Sequence, residues 1–194
     1  MSATTRRRLD PKVRRQEIIE AAERLLKSNG PDVRVEDVVR EAAAAKGTFY
    51  LYFPAWDDLL EAIRGRIIKA FDETHPLQNG VGSEQGWLAV LDRLAIAFID
   101  GVIAMGGLHA VLFHSDFARR RPVPEADNPI RRLIEIVRAG KEAGTFADVD
   151  ADVIGRFLFA VIHETADAVE AGEDRERALA AMRWIMRKAL EPEV

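Results

Sequence analysis

"KGTFYLYFPAWDDLL", residues 46–60, holds five aromatic side chains in a chain that is only 7% aromatic. These rings are either all core or partly in contact with a partner. Phe49 and Phe53 are four positions apart, so in a helix they share one face and are expected in the core. Tyr50 falls on a different face of that helix. The stretch therefore predicts a short amphipathic helix with rings inside and a cation and hydroxyls outside.

Helix boundaries are readable on both sides of this stretch. Asp10-Pro11 predicts an N-cap followed by a proline in the first turn, and Asn29-Gly30-Pro31 predicts the end of that helix. A second helix is expected at about 35–43 and a third at about 45–52, and Pro54 separates them from a fourth. Short helices at this spacing predict a helix-turn-helix, whose second helix lies in the major groove of DNA.

The outer side of the third helix has chemistry that suits DNA. Lys46 can contact a phosphate or a guanine edge, and Gly47 lets the backbone come close to the duplex. Thr48 can donate to a phosphate or pack on a thymine methyl group. Tyr50 can offer its hydroxyl to a phosphate, whereas Tyr52 lies beside the Phe49 row and can either contact DNA or pack inside.

The rest of the chain also predicts helices. "HPLQNGVGS", 75–83, is expected to be a linker, and helices are expected at about 84–105, 108–120, 128–143, 150–171 and 175–190. No alternation with a period of two extends over a useful length, so no strand is predicted. The expected fold is all-α, with an N-terminal three-helix head and a larger helical-bundle body.

The last two helices predict an oligomer. The segment "FLFAVI", 157–162, is apolar on every side, so its helix must bury more than one face. A short connection at 172–174 makes the two helices an antiparallel hairpin. We expect a homodimer through residues of about 150–191, with a single thick monomeric bundle as the alternative.

Charge is distributed unevenly along the chain. Residues 1–69 hold 14 Lys and Arg against 11 Asp and Glu, whereas the remaining residues hold 14 against 21, for a total net charge of −4. A basic head on an acidic body suggests that the head meets a polyanion; a solvated basic tail is the alternative. No cysteine is present, which excludes disulfides and thiolate zinc sites. No run of about 18 apolar residues and no secretory signal is found, so a cytoplasmic protein without membrane contact is expected.

The body also holds residues that could line a ligand pocket between helices. Aromatic and other apolar side chains would supply the walls and histidines the polar points, and ordinary core packing is the alternative. The pocket candidates are Trp87, Phe98, Met105, His109, Phe113, Phe117, Phe157 and His163. The expected ligand is a small apolar or aromatic molecule with one polar handle.

No cofactor, metal site or catalytic residue is expected. His109 and His114 are five positions apart, whereas a helix pairs positions three or four apart. "HETAD", 163–167, lacks the second histidine of a zinc-binding helix. Neither a glycine-rich phosphate loop nor a Gly-x-Ser-x-Gly motif is present, so we do not expect an enzyme.

Residues 12–68 resemble the DNA-binding domain of TetR-type transcriptional regulators. That family shows Lys-Gly-Thr-(Phe/Leu)-Tyr-x-(Tyr/His)-Phe at the end of its helix-turn-helix, followed by a helix with an acidic-Leu-Leu entry. This chain has "KGTFYLYF" at 46–53 and "DDLLEAI" at 57–63. The resemblance implies a homodimeric regulator, usually a repressor, that binds a roughly palindromic operator on double-stranded DNA. It also implies that a small molecule bound in each body alters DNA affinity.

The resemblance places the DNA contacts on particular residues. Those carried over from the motif are Lys46, Gly47, Thr48, Tyr50 and Tyr52. Arg14, Arg15 and the arginines at 6–8 are expected to add backbone contacts, as basic arms do. Arg34 and Arg40, which flank the second helix, are further candidates.

The chain departs from the family pattern at four positions. Val35 replaces the usual threonine at the start of the second helix, and Ala45 replaces the usual hydroxyl cap of the third. Ala43 stands where the turn usually contains glycine, which would cost about 1 kcal/mol in a left-handed conformation. Trp56 replaces a common phosphate-binding lysine.

The expected domains are a DNA-binding domain at 1–69, with its motif at about 35–54, and a ligand-binding and dimerisation domain at 70–194. The departures keep a second function open. In that alternative the chain is a dimeric small-molecule-binding or protein-interaction module whose head has degenerated.

Overall fold

The computed structural model describes residues 10–76 and 84–192 of the chain. These residues form helices and no strand, which confirms the all-α prediction. The arginines at 6–8 and most of the expected linker, 77–83, lie outside the described residues. The helices are α1 Pro11–Asn29, α2 Val35–Glu41, α3 Lys46–Tyr52, α4 Trp56–Thr74, α5 Glu84–Met105, α6 Gly107–His109, α7 Asp116–Arg120, α8 Ile130–Glu142, α9 Ala151–Glu170 and α10 Arg175–Leu190.

The chain divides into two compact units. Of the described residues, the first contains 10–67 and 106–122, and the second contains 68–76, 84–105 and 123–192, so the division falls within α4. The sequence predicts one domain boundary, near residue 69. In the structure the N-terminal unit also includes residues 106–122. Which function each unit carries stays a prediction.

The first unit is built on α1, whose ends are set by local chemistry. The Asp10 carboxylate accepts a hydrogen bond of 2.7 Å from the Lys12 backbone N–H, and Pro11 occupies the first turn. The helix ends at Asn29 and is followed by Gly30, which has a φ of +56°. Helices α1, α2, α3 and α4 share one buried apolar core. Its residues include Ile18, Ile19, Leu26, Val38, Phe49, Phe53, Leu59, Leu60 and Ile63.

Residues 106–122 belong to the first unit because two glycines allow a close approach. A Cβ atom on Gly107 would lie 3.0 Å from the Gly30 Cα and 3.1 Å from the Leu26 carbonyl oxygen. Any side chain at position 107 would force these segments apart.

The single short helix expected at about 108–120 is instead broken. After α6 comes a π turn at Ala110–His114, and α7 begins anew after Ser115. The Ser115 hydroxyl donates to the Val111 carbonyl oxygen at 2.6 Å and accepts from the Phe117 N–H at 3.2 Å. It therefore ends one turn and caps the next helix.

The second unit packs α5, α8, α9 and α10 around one apolar core. Leu91, Ile99, Val137, Leu158 and Met182 are among its buried residues. Helix α9 approaches α8 closely at Gly155, where a Cβ atom would lie 3.0 Å from the Ile134 backbone nitrogen. The turn at 171–174 joins α9 to α10, as the short connection predicts.

Among the described residues, no single helix is long and apolar enough to cross a membrane; only the segments 86–105 and 107–120 taken together pass the same test of length and composition.

Candidate nucleic-acid interface

The inner face of α3 is held in the core by its aromatic rings. Phe49 and Phe53 are buried, with their ring centroids 5.7 Å apart. The Trp56 ring, at the start of α4, stacks on Phe49 with a centroid distance of 6.4 Å and an interplanar angle of 20°. These contacts fix the orientation of α3, so the opposite face points to solvent.

The outer face of α3 consists of exposed residues. Lys46, Gly47, Tyr50 and Leu51 are exposed, whereas Thr48 and Tyr52 are half-buried. Leu51 is missing from the sequence-based set, although its position, two residues from both Phe49 and Phe53, puts it opposite the buried rings. That spacing is the signal that could have found it.

Gly47 has no structural reason to be glycine. It lies in a helix, and a Cβ atom built there would meet nothing within 4 Å. Gly47 is the second residue of α3, and glycine at a helical position costs about 0.4–1 kcal/mol relative to alanine because it loses more conformational freedom on folding. The residue therefore leaves the backbone of α3 open to close approach from outside, at the expense of helix stability.

Lys46 is not free in this structure but paired with Glu36 of α2. Its ammonium donates a hydrogen bond of 2.5 Å to the Glu36 carboxylate, and both side chains are more than half exposed. This hydrogen bond lowers the pKa of the Glu36 carboxyl and raises the pKa of the Lys46 ammonium. A negative charge thus lies on the expected DNA-binding face, and the sequence motif gives no indication of it.

Neither helix of the motif receives a side-chain hydrogen bond from its N-cap residue, and Val35 is the first residue of α2. Ala45 occupies the N-cap of α3 without a side-chain hydrogen bond, and Arg34 occupies that of α2. At α2 the Asp37 carboxylate partly compensates by accepting from the Arg34 backbone N–H at 3.0 Å. In the turn between them, Ala43 has a φ of +47°, which is the left-handed conformation expected from its replacement of glycine.

The arginines proposed as backbone contacts differ in their surroundings. Arg14 is half-buried and donates to the Ala42 carbonyl oxygen at 3.2 Å, so it also ties α1 to the end of α2. The exposed Arg15 lies with its guanidinium carbon 5.0 Å from the Phe53 ring centroid. Arg34 is exposed.

The predicted ligand-binding residues are divided between the two units. His109, Phe113 and Phe117 belong to the first; the others belong to the second. In the first unit, the buried His109 ring lies 5.4 Å from Phe113, and Phe117 is buried under the Arg64 guanidinium at 4.7 Å. In the second, Trp87 and Met105 are half-buried.

Phe98 and His163 come together in an aromatic cluster of the second unit. Their ring centroids are 5.8 Å apart, and Phe159 lies 5.3 Å from Phe98. A small cavity adjoins this cluster, lined by Phe71, Leu94, Phe98, Pro129, Arg132, Leu133, Phe159 and Ile162. Arg132, whose side chain is 11% exposed, is the cation of this lining and was missed by sequence reasoning.

Phe157 does not fit its predicted place in a pocket wall. Phe157 is 65% exposed. Leu158 and Ile162 are buried, so a different side of α9 faces the core. Phe157 shares the exposed side with Val153, and on α10 Trp184 and Ile185 are also exposed.

Comparison with known proteins gives a family match for the head. Residues 18–63 match the model of the bacterial regulatory proteins of the tetR family. A search of curated protein sequences found no match.

Solved structures share the fold of the chain at low sequence identity. A TetR transcription regulator from Haloarcula marismortui is 20% identical with a TM-score of 0.68, covering 93% of this chain and 100% of its own. The TetR family protein CprB from S. coelicolor is 23% identical with a TM-score of 0.63, covering 94% and 90%. A gamma-butyrolactone receptor described as ArpA-like is 21% identical with a TM-score of 0.61, covering 94% and 90%.

Proposed function

We propose that this chain, whose residues 18–63 match the tetR family model, is a transcription regulator of that family with a helix-turn-helix DNA-binding domain. In this proposal it binds a roughly palindromic operator as a homodimer and represses transcription. A small molecule weakens the binding and so releases the repression. The observation that carries the proposal is the outer face of α3. There Gly47 opens the backbone while Phe49 and Phe53 hold the helix from below. The role is that of a regulator rather than an enzyme, acting in the cytoplasm.

In this proposal α3 lies in the major groove. Gly47 lets the helix backbone approach the duplex, and Lys46 and Tyr50 reach phosphates or base edges. Thr48 and Tyr52 are half-buried at the margins of the face, where a hydroxyl can donate to a phosphate. Arg14, Arg15 and Arg34 would add charge-dependent contacts to the DNA backbone.

The exposed apolar side chains of α9 and α10 support a homodimer. Phe157 and Trp184 are each about two-thirds exposed, and Val153 and Ile185 extend the same apolar character. Exposed large apolar side chains on two consecutive helices favour a surface that a partner covers. In a two-fold dimer through residues of about 150–191, the two α3 helices would lie about 34 Å apart, which is one turn of DNA.

The aromatic cluster of the second unit supports a small apolar or aromatic ligand. Phe71, Phe98 and Phe159 would form the walls, and Arg132 would receive the polar handle. Arg132 already donates a hydrogen bond of 3.0 Å to Asp72, so a ligand acceptor would compete with that carboxylate. Phe71 lies on α4, which begins in the DNA-binding head. We therefore expect ligand to tilt α4 and change the spacing of the two heads, with a differential affinity for the two spacings as the driving force.

A gel-shift titration with the full-length protein and duplex DNA from upstream of its own gene tests DNA binding. Lys46→Ala and Tyr50→Phe should each weaken specific binding, and affinity should fall steeply as salt rises. A sequence-specific complex that neither substitution weakens would contradict the assignment of α3 as the reading helix.

Ligand binding is testable by thermal shift with a panel of apolar and aromatic compounds that carry one polar group. Gamma-butyrolactones belong in the panel because one protein of similar fold is a gamma-butyrolactone receptor. A stabilising compound should lose its effect in Arg132→Met and should release the operator in a gel shift. No stabilisation by any class would count against the pocket.

The alternative function is a dimeric small-molecule-binding or protein-interaction module with a degenerate head. The uncapped α3 and the strained Ala43 favour it, because both weaken the motif that presents the reading helix. The same titration decides, since this alternative expects no specific complex on any upstream duplex.

A further inference from the structure

Leu51 is the most exposed large apolar side chain among the described residues, at 76% of its surface. Single exposed leucines are common and need no explanation by themselves. Its position is the informative feature, because it projects from the outer face of α3, directly opposite the buried rings of Phe49 and Phe53.

The residues around Leu51 leave it as the side chain that extends most freely from this face. Gly47, one turn earlier, contributes no side chain, and the space beside it is open. Lys46 is engaged by Glu36, and the Tyr50 ring packs edge-on against Phe49 at 5.3 Å. Leu51 therefore meets a partner of α3 without intervening protein.

A leucine has neither a hydrogen-bond donor nor an acceptor, which limits what it can read. The major-groove edges of the four base pairs present donors, acceptors and one apolar group, the C5-methyl of thymine. Placed against a polar edge, Leu51 would remove water without replacing its hydrogen bonds. Placed against a thymine methyl, it would bury apolar surface on both sides.

We propose that Leu51 is a specificity-determining residue that reads a thymine methyl group in each half-site of the operator. This inference rests on the proposed function, since it requires α3 in the major groove. It predicts that apolar contact, rather than a bidentate hydrogen bond from α3, selects the base under the centre of the reading helix.

The test uses the full-length protein and an operator selected from random duplex DNA. Each thymine of the selected half-site is replaced in turn by deoxyuridine, which lacks only the C5-methyl, symmetrically in both half-sites. Fluorescence anisotropy then gives the dissociation constant. At one thymine the replacement should weaken binding roughly three- to tenfold per half-site, which corresponds to one buried methyl group.

Leu51→Ala supplies the other half of the thermodynamic cycle. In this variant the deoxyuridine operator and the thymine operator should bind equally at that one position, while the other thymines behave as before. Because Leu51 is exposed, the variant should keep the helicity and thermal stability of the parent. Val13→Ala, at another exposed apolar position, is the matched control and should leave the deoxyuridine effect intact.

The outcomes separate the inference from the proposed function. A selection that enriches no sequence would overturn the proposed function, and the inference with it. A selected operator that tolerates deoxyuridine at every thymine would overturn the inference alone. A deoxyuridine effect that persists unchanged in Leu51→Ala would do the same, since another residue would then read the methyl.

Discussion

At the scale of single residues, replacing Gly47 should change protein stability and DNA affinity in opposite directions. Gly47→Ala should stabilise the protein by about 0.4–1 kcal/mol, because Gly47 has a helical backbone, the added Cβ atom meets nothing, and alanine loses less conformational freedom on folding. The same Cβ atom should keep the backbone from approaching DNA and weaken operator binding. Urea denaturation and a gel shift measure the two effects.

Gly65→Ala is the matched control for this substitution. Gly65 is an exposed helical glycine in α4, and a Cβ atom there also meets nothing within 4 Å. It should give a similar gain in stability with unchanged DNA affinity. Unchanged DNA binding in Gly47→Ala would remove the reason given for that glycine.

Ala43 carries strain that glycine would relieve. Its φ of +47° lies in the left-handed region, where a Cβ atom crowds the neighbouring carbonyl oxygen. Ala43→Gly should therefore raise the free energy of unfolding by about 1 kcal/mol. Ala44→Gly, at the next position where φ is not positive, should lower it instead. Denaturant titrations of the two variants should shift in opposite directions, and a destabilised Ala43→Gly would contradict the strain.

At the scale of elements, the pairing of α2 with α3 should govern how much Lys46 contributes to DNA binding. While Glu36 holds the ammonium, Lys46 must exchange one anion for another on binding DNA. Glu36→Gln should therefore tighten operator binding several-fold at low salt and steepen its salt dependence. The folded pKa of Glu36 lies below its ordinary 4.5, so the pair persists through the neutral range and is lost only as the pH falls through that lowered pKa.

A double-mutant cycle isolates this effect. Lys46→Ala should cost more affinity in the Glu36→Gln background than in the parent, because only there is the ammonium fully available to the DNA. Glu41→Gln, which breaks the exposed pair of Arg24 with Glu41, is the control and should leave the cost of Lys46→Ala unchanged. Equal costs in the parent and in Glu36→Gln would show that Glu36 does not restrain Lys46.

The contact of α4 with α7 depends on a buried arginine. Arg64 is 3% exposed, donates to the Arg121 carbonyl oxygen at 2.6 Å and lies over the Phe117 ring, and burial lowers the pKa of its guanidinium. A lysine can reproduce neither the planar stacking nor the fixed donor geometry. Arg64→Lys should therefore lower the free energy of unfolding by about 1–3 kcal/mol.

Arg24→Lys provides the comparison for Arg64→Lys, because Arg24 pairs with Glu41 while 60% exposed. That substitution should change stability by no more than about 0.5 kcal/mol. Thermal or urea denaturation of both variants measures the difference. Similar small losses in both would show that the buried guanidinium is dispensable.

At the scale of the whole molecule, the exposed apolar side chains of α9 and α10 should determine the oligomeric state. In the proposed homodimer, Phe157→Glu would bring two like charges to the two-fold contact and remove a large apolar anchor. It should weaken the dimer by about 2 kcal/mol or more. Light scattering after size-exclusion chromatography should show a parent dimer and a monomeric variant.

Val13→Glu changes an exposed apolar residue of α1 and should leave the dimer intact. Because Phe157 is exposed within one chain, Phe157→Glu should keep its helical content, which circular dichroism checks. A parent protein that is monomeric at micromolar concentration would contradict the homodimer.

Much of the fold could be predicted from the sequence because it depends on local chemistry. Asp10-Pro11 begins α1 and Asn29-Gly30-Pro31 ends it, since capping and left-handed glycine act within a few residues. The four-residue spacing of Phe49 and Phe53 placed both rings in the core. The same motif predicted a TetR-type head, and the match of residues 18–63 to the tetR family model confirms this for that segment.

The tertiary structure alone decided the contacts between residues that are far apart in the chain. Gly107 joins residues 106–122 to the first unit through its close approach to Gly30, and no local pattern encodes that pairing. Because the segment 157–162 is apolar on every side, its sequence does not indicate which side of α9 faces solvent, and the exposure of Phe157 was not predicted. Glu36 meets Lys46 only because the turn between α2 and α3 brings them together. Sequence thus determined where most helices begin and end and which positions are apolar, because these are short-range effects; which faces meet was decided by packing over the whole chain.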